Sequence, residues 1–278
     1  METATVRKVH PIEHLRYVAR AQGADPATLV EETAHALGSL RFDPSGLVVA
    51  CRRIVERHPF TGALWWLCAN VVTSAEPFDA VWELADSIRR DRTGSELAAC
   101  LPDDAAVVTI GDPDVVGDGL VRRGDVRVLA FDAAHTATSF VRRMERYDVD
   151  VEPVDAGVAG VAIRHADVVL VEALAIDSER AVVPIGSSTV AAVGATFGTA
   201  VWVLAGTGRR LPSGFIDAMV AKVGALAEEF DPWDLDVEVL PTSMFDHVVG
   251  PHGKVPMGPP AIVAECPMAH ELLRPSHI

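Results

Sequence analysis

The chain has 278 residues, 49% of them hydrophobic and 23% charged, which excludes a disordered or fibrous protein and suits one large domain or two smaller ones. With 39 acidic against 24 basic side chains the formal net charge is −15, a field that repels nucleic acid. No apolar stretch reaches the roughly 18 residues of a spanning helix, so neither nucleic acid nor membrane is an expected partner.

Residues 1–14 are polar and lack the apolar core of a signal peptide. Up to about residue 100 the spacing predicts helices. Asp43-Pro44 is a start signal, a capping side chain followed by proline at the first helical position. Leu47, Cys51, Ile54 and His58 then share a face, with Ala50 and Val55 beside it. After Pro59 the pattern repeats in Leu64, Leu67, Cys68 and Val71, and after Pro77 in Val81, Leu84, Ala85 and Ile88. Cys51, Cys68, Cys100 and Cys266 are far apart with no metal-ligand spacing, so free thiols in a cytoplasmic protein are expected, with no metal and no cofactor. The arginine pairs at 52–53, 89–90, 122–123, 142–143 and 209–210 lie in or beside helical patterns and read as solvated helix faces.

After Pro102 the rhythm changes. Short β-branched runs at 105–110, 126–131, 149–154, 168–173, 200–205 and 235–240 alternate with helix-length segments at 114–123, 134–147, 187–197 and 213–229. Such runs indicate a parallel sheet covered on both sides, with ligands at the strand C-terminal ends. The fold expected is α/β: an N-terminal helical domain, 1–103, followed by a Rossmann-like parallel-sheet domain, 104–278.

The stretch Ala166 to Ala205 resembles the core of the initiation factor 2B α/β/δ family, which includes methylthioribose-1-phosphate isomerase and ribose-1,5-bisphosphate isomerase. The shared pattern is a strand, a short loop, the turn at Ile185-Gly186, an alanine-rich helix and a strand after Gly198. His58 to Trp65, Val107-Val108-Thr109 and Phe245 to Val248 resemble further segments in the same order. Members associate through the Rossmann-like domain, so the resemblance implies at least a homodimer.

The isomerase residues are not matched. The segment that carries the family's cysteine reads Thr109-Ile110-Gly111-Asp112, and its catalytic aspartate falls at Leu174. Its lysine falls at Pro184, its arginine at His58 and its glutamine at His135, while its N-terminal phosphate loop has no match. Isomerisation needs an acid or base at adjacent carbons, and a dianionic phosphate needs cations; these replacements supply neither.

Some residues keep a functional reading beside a structural one. Gly186, Ser187 and Ser188, with Thr189, open a helix and either cap it or offer N–H groups to an anion. Asp112, Asp132, Asp155 and Glu172 fall at strand ends and either cap helices, favoured for Asp132 and Asp155, or form an acidic pocket. His58 and His135 are surface residues or proton carriers, and the 250–254 loop closes over a site or meets a partner. Two functions follow. One is a non-catalytic or regulatory protein binding a small phosphorylated metabolite or nucleotide through His58, Thr109, Gly111 and Gly186–Ser188. The alternative is an enzyme, either an aldose–ketose isomerase or one with chemistry rebuilt from Asp112, Glu172 and His135. Guanine-nucleotide exchange would need partner subunits.

Overall fold

Val107, Val108 and Ile110 are β-branched and buried on both faces of one strand, as a central parallel strand requires. The structure, a computed structural model, describes residues 26–42, 46–132, 137–258 and 261–274. In it this strand is β1 (Ala106–Ile110), an interior strand of a seven-stranded sheet. With β2 (Arg127–Phe131), β3 (Asp150–Val154), β4 (Val168–Glu172), β7 (Ala200–Leu204), β9 (His247–Gly250) and β10 (Gly253–Pro256), the order is β10-β9-β7-β4-β1-β2-β3. All pairs are parallel except β9–β10.

The chain steps outward from β1 to β2 and β3 through α6 (Asp114–Arg123) and α7 (Ala137–Glu145), then returns through α8 (Ala159–Arg164) to β4. The winding therefore reverses between β1 and β4, and the strand C-terminal ends at such a reversal are where a doubly wound sheet ordinarily binds its ligand. One sheet face packs Val107, Leu170 and Leu204 against α5 (Thr93–Cys100), α6 and α7. The other packs Val108, Val169 and Val203 against α8 and α9 (Ser187–Phe197). At the opposite end of the strands two aspartates act as staples. Asp167 Oδ2 accepts the N–H of Ala106, and Asp246 Oδ2 that of Val201, each at 2.8 Å. Asp246 belongs to the segment that carried part of the resemblance, and here its part is to start β7.

The run expected at 235–240 becomes β8 (Val237–Pro241) but does not join the main sheet. It pairs antiparallel with β6 (Arg180–Pro184), which pairs with β5 (Ala175–Ile176) in a separate three-stranded sheet. Only Val237 and Leu240 of it are buried, whereas all five residues of β4 are, and β9 takes the place beside β7. The 250–254 segment is not a free loop: it is the turn and start of the β9–β10 hairpin, with Lys254 Nζ 3.8 Å from the Trp202 ring centroid.

Before the sheet come α1 (Pro26–Gly38), α2 (Leu47–Arg57), α3 (Gly62–Thr73) and α4 (Pro77–Arg89). Pro77 stands at the first turn of α4, where its missing N–H costs nothing. Asp43-Pro44, expected to start α2, lies outside the described residues. His58 does not extend the apolar face of α2; it follows the last helical residue and donates its N–H to Ile54 O. The core of these helices takes residues from far beyond position 103. Ala175, Val182, Val237 and Leu272 join it, as do Phe215, Ile216 and Met219 of α10 (Ser213–Glu229). Among the described residues no helix is long and apolar enough to cross a membrane.

Candidate functional site

At the reversal between β1 and β4 the strand ends carry Gly111 and Glu172. Gly111 adopts φ 74°, a left-handed conformation that favours glycine, and this turns the chain from β1 towards α6. Glu172 closes β4, facing the first turn of α6, and is 5% exposed. Its Oε2 accepts the N–H of Val116 at 2.9 Å, and its Oε1 lies 2.6 Å from Arg209 Nη1. Arg209, 6% exposed, donates from the same nitrogen to Ala173 O at 2.9 Å. Burial alone would lower the guanidinium pKa; Glu172, then Asp114 and Asp91, outweigh it and leave it raised. A carboxylate inside the sheet is tolerated here because both its oxygens are satisfied and its charge is matched.

Arg209 was not legible as part of this site. The sequence placed the 209–210 pair on a solvated helix face, but both arginines lie in the loop after β7, bent by Gly208 at φ 80°. Three carboxylates hold that loop. Asp91 Oδ2 accepts the N–H of Thr207 at 3.0 Å, Glu265 Oε2 that of Gly208 at 2.7 Å, and Glu172 the Arg209 side chain. Glu265 also pairs with Arg210 through Oε1. Burial pushes the Glu265 carboxyl up, against the pull of Arg210 and of backbone N–H groups. Burial, then the Glu265 charge, drives the neighbouring Cys266 thiol to about 12. The available signal was positional: two cations in a glycine-bounded loop directly after a strand that neighbours a buried acid.

The other acids are also engaged. Asp112 and Asp114 share Arg143 of α7, at 2.9 and 3.2 Å, and Arg143 donates to Pro113 O at 2.6 Å. Asp132 accepts the N–H of Ala137 at 3.4 Å, and Asp155 that of Gly157 at 2.8 Å. Both act as caps, the reading favoured for them. Asp112, Asp132, Asp155 and Glu172, the acids of the expected pocket, thus meet separate partners and do not pool their charge.

Thr109 lies in β1, 1% exposed, and its hydroxyl has no hydrogen-bond partner among the described residues. His58 lies on the loop that leads into α3, half-buried. Gly62, which opens α3, donates its N–H to Leu174 O at 3.1 Å, and a Cβ there would fall 2.4 Å from that oxygen. So the loop from His58 does reach the position where the resemblance puts a catalytic aspartate, but a half-buried leucine packed against the helical core stands there. His135 lies outside the described residues.

At α9, Gly186 takes φ 88° and precedes the first turn. Ser187 is fully buried and donates its hydroxyl to Pro184 O at 2.7 Å. The N–H of Ser188 donates to Glu238 Oε1 of β8 at 2.9 Å. The place at this helix end that suits an anion is thus held by the chain's own carboxylate.

No family model matches the sequence, and no curated protein matches it. Solved structures do. The chain is similar to the translation initiation factor eIF-2B of Pyrococcus horikoshii, with TM-score 0.74 and 15% identity over 91% of this chain and 98% of that one. It is similar to eIF2B beta from Chaetomium thermophilum, with TM-score 0.66 and 14% identity over 89% of this chain and 86% of that one. In the tetrameric eIF2B-beta2-delta2 complex of C. thermophilum the matching chain gives TM-score 0.68 and 13% identity over 88% and 90%. At these identities the likeness establishes the fold.

Proposed function

We propose that this chain, which has the fold of the eIF2B subunits, is a non-catalytic, regulatory protein of the cytoplasm that works as a homodimer and binds a small phosphorylated metabolite or nucleotide. The observation that carries the non-catalytic part is the Glu172–Arg209 pair. It fills the point where a doubly wound sheet ordinarily holds its ligand, and it leaves no free base there. Leu174 and Gly111 can move no proton. An enzyme rebuilt from Asp112 and Glu172 would have to draw each away from an arginine. The four cysteines, all free, suit a reducing compartment.

The reaction test is direct. Purified protein is incubated with methylthioribose 1-phosphate and with ribose 1,5-bisphosphate, and ketose products are followed; none is expected, and turnover of either ends the non-catalytic reading. The ligand part is tested at α9, where a phosphate would have to displace Glu238. In a thermal-shift series with sugar phosphates and nucleotides, Glu238→Ala should respond at lower concentration than the wild type, because the internal competitor is gone. A flat response from both proteins would remove the ligand part and leave the rest standing.

A further inference from the structure

Helix α10 changes character along its length. Its fully buried residues, Phe215, Ile216 and Met219, all lie in its first two turns. From Val220 to Glu229 none is fully buried, although Val220, Val223, Leu226 and Ala227 continue an apolar stripe at helical spacing. Phe230 and Trp233 extend that stripe past the helix end, 54% and 75% exposed. The backbone that presents them is closed by hydrogen bonds. Phe230 donates its N–H to Leu226 O at 2.8 Å, and Asp234 its own to Asp231 O at 2.9 Å across the single turn Pro232–Asp234. An ordered backbone that holds two large aromatic side chains in water has lost chain entropy without burying them, the mark of a surface built to be covered.

The charge around these side chains is of one sign. Glu228, Glu229, Asp231, Asp234 and Asp236 are interleaved with them, and no cationic residue stands between 228 and 236. Glu228 and Glu229 close the last turn of α10, where a carboxylate opposes the helix dipole and no basic residue offsets it. Elsewhere on the surface arginines neutralise acids: Arg122 Asp118, Arg127 Glu152 and Arg180 Asp217, at 2.9, 2.9 and 2.8 Å. None of the five is ion-paired among the described residues. Uncovered aromatics and unmatched carboxylates both work against the isolated chain, and one occupant answers both.

We propose that the end of α10 and the turn after it form a docking surface for a basic, amphipathic polypeptide segment of another protein. Its apolar side chains cover Leu226, Phe230 and Trp233, and its lysines and arginines meet the five carboxylates. The charge selects this occupant. A second copy of the chain brings −15 and the same five acids against their own kind, and nucleic acid or an anionic membrane is repelled by them.

The test uses the full chain and two labelled peptides of equal positive charge, followed by fluorescence anisotropy. One is an amphipathic peptide of leucine and lysine, the other a peptide of glycine and lysine. The wild type should bind the first at least about tenfold more tightly, and added salt should weaken both. Phe230→Ser with Trp233→Ser should lower the leucine–lysine affinity on the order of tenfold or more and leave circular dichroism unchanged, since both side chains already lie in water. Tyr147→Ser with Val263→Ser removes two apolar side chains that are exposed elsewhere and should leave the affinity as it was. Glu228→Gln, Asp231→Asn and Asp234→Asn together should weaken both peptides and flatten the dependence on salt. Equal binding of the two peptides overturns the proposal, as does an affinity that ignores Phe230 and Trp233 or falls equally with Tyr147 and Val263. A lower molar mass of the Phe230–Trp233 variant in sedimentation equilibrium also overturns it, because a second copy is then the occupant.

Discussion

The first turns of α6 and α9 present the same chemistry to opposite fates. Each helix opens beside a strand end, each offers backbone N–H groups, and each receives a carboxylate from a neighbouring strand, Glu172 at Val116 and Glu238 at Ser188. Glu172 is buried and bound to an arginine that is itself buried; Glu238 is half-buried at the border of the small sheet. One carboxylate is built into the core and the other covers a surface feature. An anion site can therefore be closed in two ways that differ in what it would take to reopen them.

Removing the buried carboxylate should show the largest effect. Glu172→Ala leaves the Arg209 charge buried without its partner and should cost about 3–5 kcal/mol in chemical denaturation. Glu172→Leu with Arg209→Met removes both charges, and most of that loss should return; a double variant as weak as the single one would mean that the pair itself, not the stranded charge, supports the fold. At α9 the effects should be smaller. Gly186→Ala forces a side chain into a left-handed backbone conformation and should cost about 1–2 kcal/mol. Glu238→Ala removes a cap supplied from outside the helix and should cost about 1 kcal/mol. Equal losses at Glu172 and Glu238 would erase the distinction between the two sites.

The least perturbing experiment is alkylation. With its thiol pushed up to about 12, Cys266 should resist iodoacetamide at mildly alkaline pH in the native protein and react once it is unfolded, as read by mass spectrometry. Because the folded pKa is the higher one, this thiol contributes stability below its ordinary value of 9.0, and the contribution is lost as pH rises towards about 12.

Much of the fold was legible because it is written in local patterns. Helices α6, α9 and α10 run over the same residues that their spacing predicts, and β1, β2 and β4 lie within their β-branched runs. What failed was pairing. Nothing in 235–240 says that its partner is β6 and not β7, because register and neighbour are set by distant residues. The site divided in the same way. Glu172 stood out as an acid inside an apolar strand, but Arg209 lies 37 positions away on another strand's loop, and no spacing rule joins them. Asp132 and Asp155 were legible as caps because a cap acts on the next few residues.

One further consequence lies in the segment from Glu265 to Leu272. It runs back across the helices: Glu265 O accepts Trp66 Nε1 at 3.1 Å, Glu271 O accepts Arg52 Nε at 2.6 Å, and Ala269 and Leu272 enter their core. The partners in these two bonds are 199 and 219 positions apart. During synthesis, α2 and α3 leave the ribosome long before the residues that finish their packing exist. These helices must wait with an apolar flank uncovered until a ribbon of chain made some two hundred positions later seals it.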